Sequence, residues 1–207
     1  MTKLLFLNAS PRGEAAASTQ AAELFLAALP QDVSVQRIDL FEANLPEFTA
    51  ALASAKQKFA MGLDLSDEES SQWATITRLV AQFVSADHYL LGVPMWNFSL
   101  PYKLKQYIDL ITHPGLTFTR DEQGMRGLAS GNATVIYARG GDYTPKEGQP
   151  DPYDFQSPYL KAWLGLVGLG PVAEVLVQTT MAGPDALQQS VQGARAQLEA
   201  LAQEVGR

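Results

Sequence analysis

A chain of 207 residues with 46% apolar and 18% charged residues has the size and composition of one compact domain, residues 1–207, with a sizeable core. The formal charge of −7 and the pI near 4.8 argue against nucleic-acid binding as the main activity, because a phosphate backbone requires a concentrated basic surface. With no cysteine and only His88 and His113, disulfides and thiol catalysis are excluded and no metal site is expected, so redox chemistry must be borrowed from a cofactor.

The opening MTKLLFLNAS reaches polar Asn8 and Ser10 too soon for a signal-peptide core. No stretch is apolar over the length needed to cross a bilayer, so a cytoplasmic protein without a membrane partner is expected. Five short apolar runs read as buried parallel strands: Leu4 to Asn8, Val33 to Leu40, His88 to Val93, Ala133 to Ala138 and Val172 to Gln178. Longer amphipathic segments separate them. Ser18 to Leu29 reads as a first helix, stopped near Pro30. Ser66 to Ser85 reads as another, opened by a Ser66-x-x-Glu69 capping box, with Trp73, Ile76, Leu79, Val80 and Phe83 on one stripe. Leu100 to Thr112 is a third, and Pro158 to Val167 and Pro184 to Val205 complete the set. The alternation predicts an α/β fold, a doubly wound five-stranded parallel sheet with helices on both faces. Two segments exceed the minimal pattern: Phe41 to Leu65, with a short helix at Ala50 to Met61, and Gly115 to Gly131, a loop or hairpin. Insertions of this length serve function or assembly, or are simply solvated loops.

Three strand ends carry chemistry. In an open α/β sheet, ligands sit beyond the carboxyl ends of the strands, where a loop leading into a helix offers free N–H groups and a positive dipole end. The loop from Asn8 to Thr19 is such a place. Ser10, Ser18 and Thr19 add hydroxyls and Arg12 adds charge, while Ser18 taken alone reads as a helix cap. The loop has neither G-x-G-x-x-G nor G-x-x-x-x-G-K-[ST] spacing, so a monophosphate fits better than a pyrophosphate or triphosphate. After the third strand, Val93-Pro94-Met95-Trp96-Asn97-Phe98 supplies a flat apolar platform beside amide groups able to bond the edge of a planar heterocycle. After the fourth, Ala138-Arg139-Gly140-Gly141 permits close backbone approach to such a ring, although a Gly-Gly pair is by itself a weak signal.

These pieces, with Pro101-x-x-Leu-Lys-Gln-Tyr-Ile-Asp109, Gly115-Leu-Thr-Phe118 and Gly124 to Leu128, resemble the bacterial FMN-dependent NADH azoreductase and quinone reductase family, whose fold is flavodoxin-like. The resemblance spans nearly the whole chain. It implies that Ser10 and residues Ala16, Ala17 and Ser18 bind the FMN phosphate, with Arg12 as a further contact. It implies that Pro94, Met95, Trp96, Asn97 and Phe98, with Ala138, Arg139, Gly140 and Gly141, bind the isoalloxazine ring, and that Phe118 and Arg120 border the substrate pocket. Family members commonly carry Ser-x-Ser where this chain has Ala16-Ala17-Ser18, so one hydroxyl donor is missing.

The implied activity is transfer of hydride from NADH or NADPH through FMN to quinones and azo compounds by a ping-pong mechanism. Asn97 would orient the ring, N–H groups of Gly140 and Gly141 would tune it, and no side chain is assigned as a catalytic acid or base. The family is homodimeric, each flavin site being roofed by the partner subunit. Two other readings stay open from the residues: a flavodoxin-type electron carrier that binds FMN without its own small-molecule turnover, and a cofactor-free domain on the same fold.

Overall fold

The computed structural model describes residues 1–183 and 185–206. Five parallel strands form one sheet in the order β2-β1-β3-β6-β7, where β1 is Thr2–Asn8, β2 Val33–Asp39, β3 His88–Pro94, β6 Asn132–Ala138 and β7 Val172–Val177. Strands β4 (Phe118–Asp121) and β5 (Gly124–Gly127) form a separate antiparallel hairpin. The strand runs named from sequence match the five sheet strands to within two residues at each end. Their near-continuous apolar character has a simple cause, since the sheet is covered on both faces and successive side chains alternate between two cores. Leu4 and Phe6 of β1 pack under one layer of helices, with Leu90 and Ile136 of the neighbouring strands. Leu5 and Leu7 pack under the other, with Tyr89, Leu91 and Val135.

The first layer holds α1 (Ala17–Ala27), α6 (Ala186–Gly193) and α7 (Arg195–Gln203), through Ala21, Ala22, Phe25, Val191, Leu198 and Ala202. The second holds α2 (Ala50–Ala60), α3 (Asp67–Val84), α4 (Tyr102–Ile111) and α5 (Ser157–Val167). The capping box read at the start of α3 is present: Ser66 Oγ accepts from the Glu69 N–H, and Glu69 Oε2 accepts from the Ser66 N–H. Glu69 also receives Lys58 Nζ at 2.8 Å and Ser54 Oγ at 2.7 Å, which ties the inserted α2 to α3. Hydrogen bonding to Lys58, then to Ser54 and the Ser66 backbone, holds its carboxyl down at about 2.

One element differs from expectation. The continuous helix read over Pro184 to Val205 is two helices broken at Ala194, and its first residue, Pro184, lies outside the described residues. Gly193, the poorest helix former short of proline, ends α6. On both sides of the break the buried residues, Val191 of α6 and Leu198 and Ala202 of α7, share one core with the sheet.

The hairpin read as one of two options for Gly115 to Gly131 is formed, and it docks on the end of α5. Gly168 closes α5 in a left-handed conformation, φ 97°. The Ala129 N–H donates to Val167 O at 3.0 Å.

Candidate cofactor site

Because β1, β3, β6 and β7 are parallel and contiguous, their carboxyl ends open on the same side of the sheet. A cleft of about 430 Å³ lies there. Its floor and one end come from the first loop: Ser10, Arg12, Ala16, Ala17 and Ser18 line it. The chain leaves β1 at Asn8, makes one 3₁₀ turn at Gly13–Ala15 and enters α1. The cap residue of α1 is Ala16, which supplies no side-chain cap bond, so the N–H groups of the first turn, Ala17 to Thr19, are left without intrahelical acceptors. Ser18 is therefore not the cap that its type alone indicates. It sits inside the first turn, fully buried, and its Oγ has no hydrogen-bond partner.

The shape of this loop is held by Asn8. Asn8 Oδ1 accepts from the Ser10 N–H at 3.3 Å and from Thr19 Oγ1 at 3.2 Å, and its Nδ2 donates to Asp39 Oδ1 at 2.5 Å. Thr19, read from sequence as a further donor to an anion, thus spends its hydroxyl on the loop itself. Ser10 Oγ accepts from the Arg12 N–H at 3.3 Å and keeps its own proton to donate.

The opposite wall is built by Pro94, Met95 and Trp96 after β3 and by Ala138 and Gly140 after β6. The Met95 N–H donates to Ala138 O at 2.8 Å, locking the two strand ends together. Trp96 and Ser99 exchange backbone hydrogen bonds at 3.0 Å in both directions, and the two residues between them have positive φ, 47° at Asn97 and 70° at Phe98. Asparagine tolerates that conformation, but phenylalanine does so only at a cost of about 1–2 kcal/mol. Surrounding contacts hold it: the Phe155 N–H donates to Phe98 O at 3.0 Å, and the Phe98 ring lies 5.1 Å from that of Tyr153 and 6.4 Å from that of Tyr143. Trp96 is braced from behind by Phe41, 5.5 Å away. A strained turn set beside an apolar plate is the kind of feature found where backbone must meet a ligand.

Of the residues read from sequence, the structure brings Ser10, Arg12, Ala16, Ala17, Ser18, Pro94, Met95, Trp96, Ala138 and Gly140 into one cleft. Asn97, Phe98, Arg139 and Gly141 do not line it. Asn97 and Phe98 form the exposed turn tip, and Arg139 is buried, 2% exposed, behind the wall. Phe118 and Arg120 lie on β4, one half-buried and the other exposed, away from the cleft of this single chain. Three further lining residues, Thr180, Met181 and Leu187, follow β7. The strand-end rule that picked the other loops applies equally to β7, and the Thr179-Thr180 pair after it was a usable signal. A neighbouring hollow of about 490 Å³ along Thr179, Asp185 and Gln189 has no aromatic platform, and Asp185 makes it inhospitable to phosphate.

A Cβ on Gly140 would meet Met181 Sδ at 2.9 Å, so a larger residue there would need the flexible Met181 side chain to move. Among the described residues, the N–H groups of Gly140 and Gly141 donate no hydrogen bond within the chain. The cleft lining contains no His, Asp or Glu. It offers donors, dipoles and flat apolar surface, which suit binding of a preformed reactive group and not acid–base catalysis by side chains.

A family profile described as flavodoxin-like fold matches residues 2–202, and the chain belongs to this family of α/β proteins. Within it, the chain is 43% identical over 197 residues to an FMN-dependent NADH:quinone oxidoreductase of Nitratidesulfovibrio vulgaris, covering 91% of this chain and 92% of the relative. It is 38% identical over 211 aligned positions to FMN-dependent NADH:quinone oxidoreductase 3 of Pseudomonas fluorescens, covering 99% and 98%. The structure superposes with a TM-score of 0.84 on an FMN-dependent NADH-azoreductase of Bacillus anthracis in complex with FMN, 28% identical, covering 98% of this chain and 100% of that one.

Proposed function

We propose that this chain is an FMN-dependent oxidoreductase, a single domain that uses NADH to reduce quinones and azo compounds. The observation that carries the reading is Ser18 Oγ, a fully buried hydroxyl with no partner in the open first turn of α1. A buried donor left unmade is costly, and a phosphate at this point satisfies it together with the free N–H groups of Ala17 to Thr19. Met95 and Trp96 line the same cleft and would seat the ring of the mononucleotide. The relatives and the superposed structure named above carry FMN, NADH, quinone and azoreductase in their descriptions, which supports the same assignment here.

Bound in this cleft, FMN would supply hydride acceptance from NADH and hydride donation to the acceptor. The protein's part is position and electrostatics. Ser10, Ser18 and the end of α1 hold the phosphate, and Arg12 adds a positive charge at the cleft mouth. Pro94, Met95 and Trp96 give the ring a rigid apolar seat. The free N–H group of Gly140, on the cleft wall, would stabilise negative charge on a reduced ring. Protons come from water, because no titratable acid lines the cleft. The open face left on this single chain is consistent with a homodimer in which the partner roofs the site.

The purified protein is expected to be yellow, to oxidise NADH in the presence of menadione or methyl red, and to give parallel double-reciprocal lines. Colour without NADH oxidation would favour an electron carrier. A spectrum lacking flavin bands even after FMN is added would end the assignment.

A further inference from the structure

Arg139 follows β6 directly, between two residues that line the cleft, yet its guanidinium turns away from the cleft into the protein. All three of its nitrogens are engaged. Nε donates to Gln156 Oε1 at 3.0 Å, Nη1 to Gln178 Oε1 at 3.3 Å, and Nη2 to Asp154 Oδ2 at 2.9 Å. The Arg139–Asp154 pair is buried, with side chains 2% and 10% exposed. Each partner reaches onward to a different part of the site. Gln156, wholly buried, donates from Nε2 to Val93 O at 3.0 Å, one residue before the cleft-lining Pro94. Gln178, at the end of β7, accepts from the Tyr143 N–H at 3.1 Å, just after Gly140 and Gly141. The Arg139 carbonyl accepts from the N–H and hydroxyl of Thr180 at 3.2 and 3.0 Å, next to Met181. Asp154 accepts from the N–H groups of Gln156 and Ser157 at the start of α5. Burial raises its carboxyl, but the Ser157 hydrogen bonds and the Arg139 charge outweigh this and keep it below the usual range.

A buried ion pair contributes little net stability compared with apolar residues of the same volume, and its best-attested use is to specify one arrangement among several. A planar fork of donors is suited to that use, because it fixes direction as well as distance. We propose that Arg139 is a positioning residue that never touches the flavin: forked across Asp154, Gln156 and Gln178, it holds the loops after β3, β6 and β7 at one spacing and so sets how tightly FMN is held. This rests on the FMN assignment above. Lysine in its place keeps the charge but has one nitrogen where three are needed.

The test is release of FMN on dilution of the full-length holoprotein, read by the fluorescence of free flavin, together with the flavin midpoint potential. Arg139→Lys and Asp154→Asn are each expected to raise the FMN dissociation constant about tenfold and to shift the potential. The double variant is expected to be weaker by less than the product of the two single effects, because both act on the Arg139–Asp154 pair. Gln178→Ala removes no charge and covers the case in which the others do not fold; it is expected to weaken FMN several-fold. Val80→Ala, in the core face of α3, serves as a control for general destabilisation, lowering the melting temperature while leaving release and potential unchanged. Wild-type release by Asp154→Asn and Gln178→Ala, or equal release by Val80→Ala, would overturn the positioning role. Failure of the wild-type chain to retain FMN at all would instead overturn the assignment on which it rests.

Discussion

Ser18 makes opposite demands on the empty and the loaded protein. Its hydroxyl is buried without a partner, so Ser18→Ala removes an unsatisfied group from the fold and a donor from the phosphate. The variant is expected to melt at the same or a higher temperature without FMN, and to bind FMN about tenfold to a hundredfold more weakly, the loss of a hydrogen bond to a charged group being about 1.5–3 kcal/mol. Ala16→Ser supplies a hydroxyl at the cap of α1 and is expected to raise stability by about 1 kcal/mol. Thermal melts with and without FMN, and flavin titration, check both. At this scale the sequence was readable wherever a residue's place follows from a strand end, as for Ser10, Met95 and Trp96, which line one cleft. It was unreadable wherever the role depends on the direction of a long side chain. Arg139 has a cleft residue on either side, and nothing in its neighbours foretells that three acceptors far along the chain, at 154, 156 and 178, turn it inward.

The hairpin β4–β5 depends on a contact between two backbones. A Cβ on Gly127 would lie 2.0 Å from the Gly168 nitrogen, and neither backbone can yield without undocking the hairpin from α5. Gly127→Ala is therefore expected to cost about 3 kcal/mol or more. Gly165, an exposed helical position of α5 with nothing within 4 Å of its would-be Cβ, is the contrast. Gly165→Ala is expected to stabilise by about 0.5–1 kcal/mol, and urea denaturation of the two variants measures both. The elements that read correctly are those whose pattern is local: the five apolar runs, the capping box of α3 and the insert helix α2. The break at Ala194 was missed because the apolar period continues across it. What separates the two helices is Gly193, whose low helix propensity ends α6, while Val191 and Leu198 on either side stay in one core.

For the whole molecule, acid is expected to loosen the fold through its buried histidine. His88 lies in β3, stacked near Phe25 with its ring nitrogen 3.2 Å from Thr134 Oγ1, and burial pushes it down to about 4. The unfolded chain takes up this proton near pH 6.5, the folded one only near 4, so the stabilisation is complete above 6.5 and is lost as pH falls between those values. The loss reaches at most about 3 kcal/mol. Burial moves His113 in the same direction. Chemical denaturation from pH 7 to 4 is expected to show this slope, and His88→Gln to flatten it. The fold as a whole was legible because alternation of strand and helix admits few arrangements. What sequence alone did not show was how the open side of the sheet is finished, since that depends on contacts between loops far apart in the chain.

That finishing has a consequence for the birth of the protein. The residues lining the cleft run from Ser10 to Leu187, and the strand order inserts β6 and β7 last on one side of β3. As the polypeptide leaves the ribosome, the phosphate loop is made first, its opposite wall is complete only with Gly140, and the last lining residues follow β7. The complete cleft therefore exists only once the sheet has been assembled through β7.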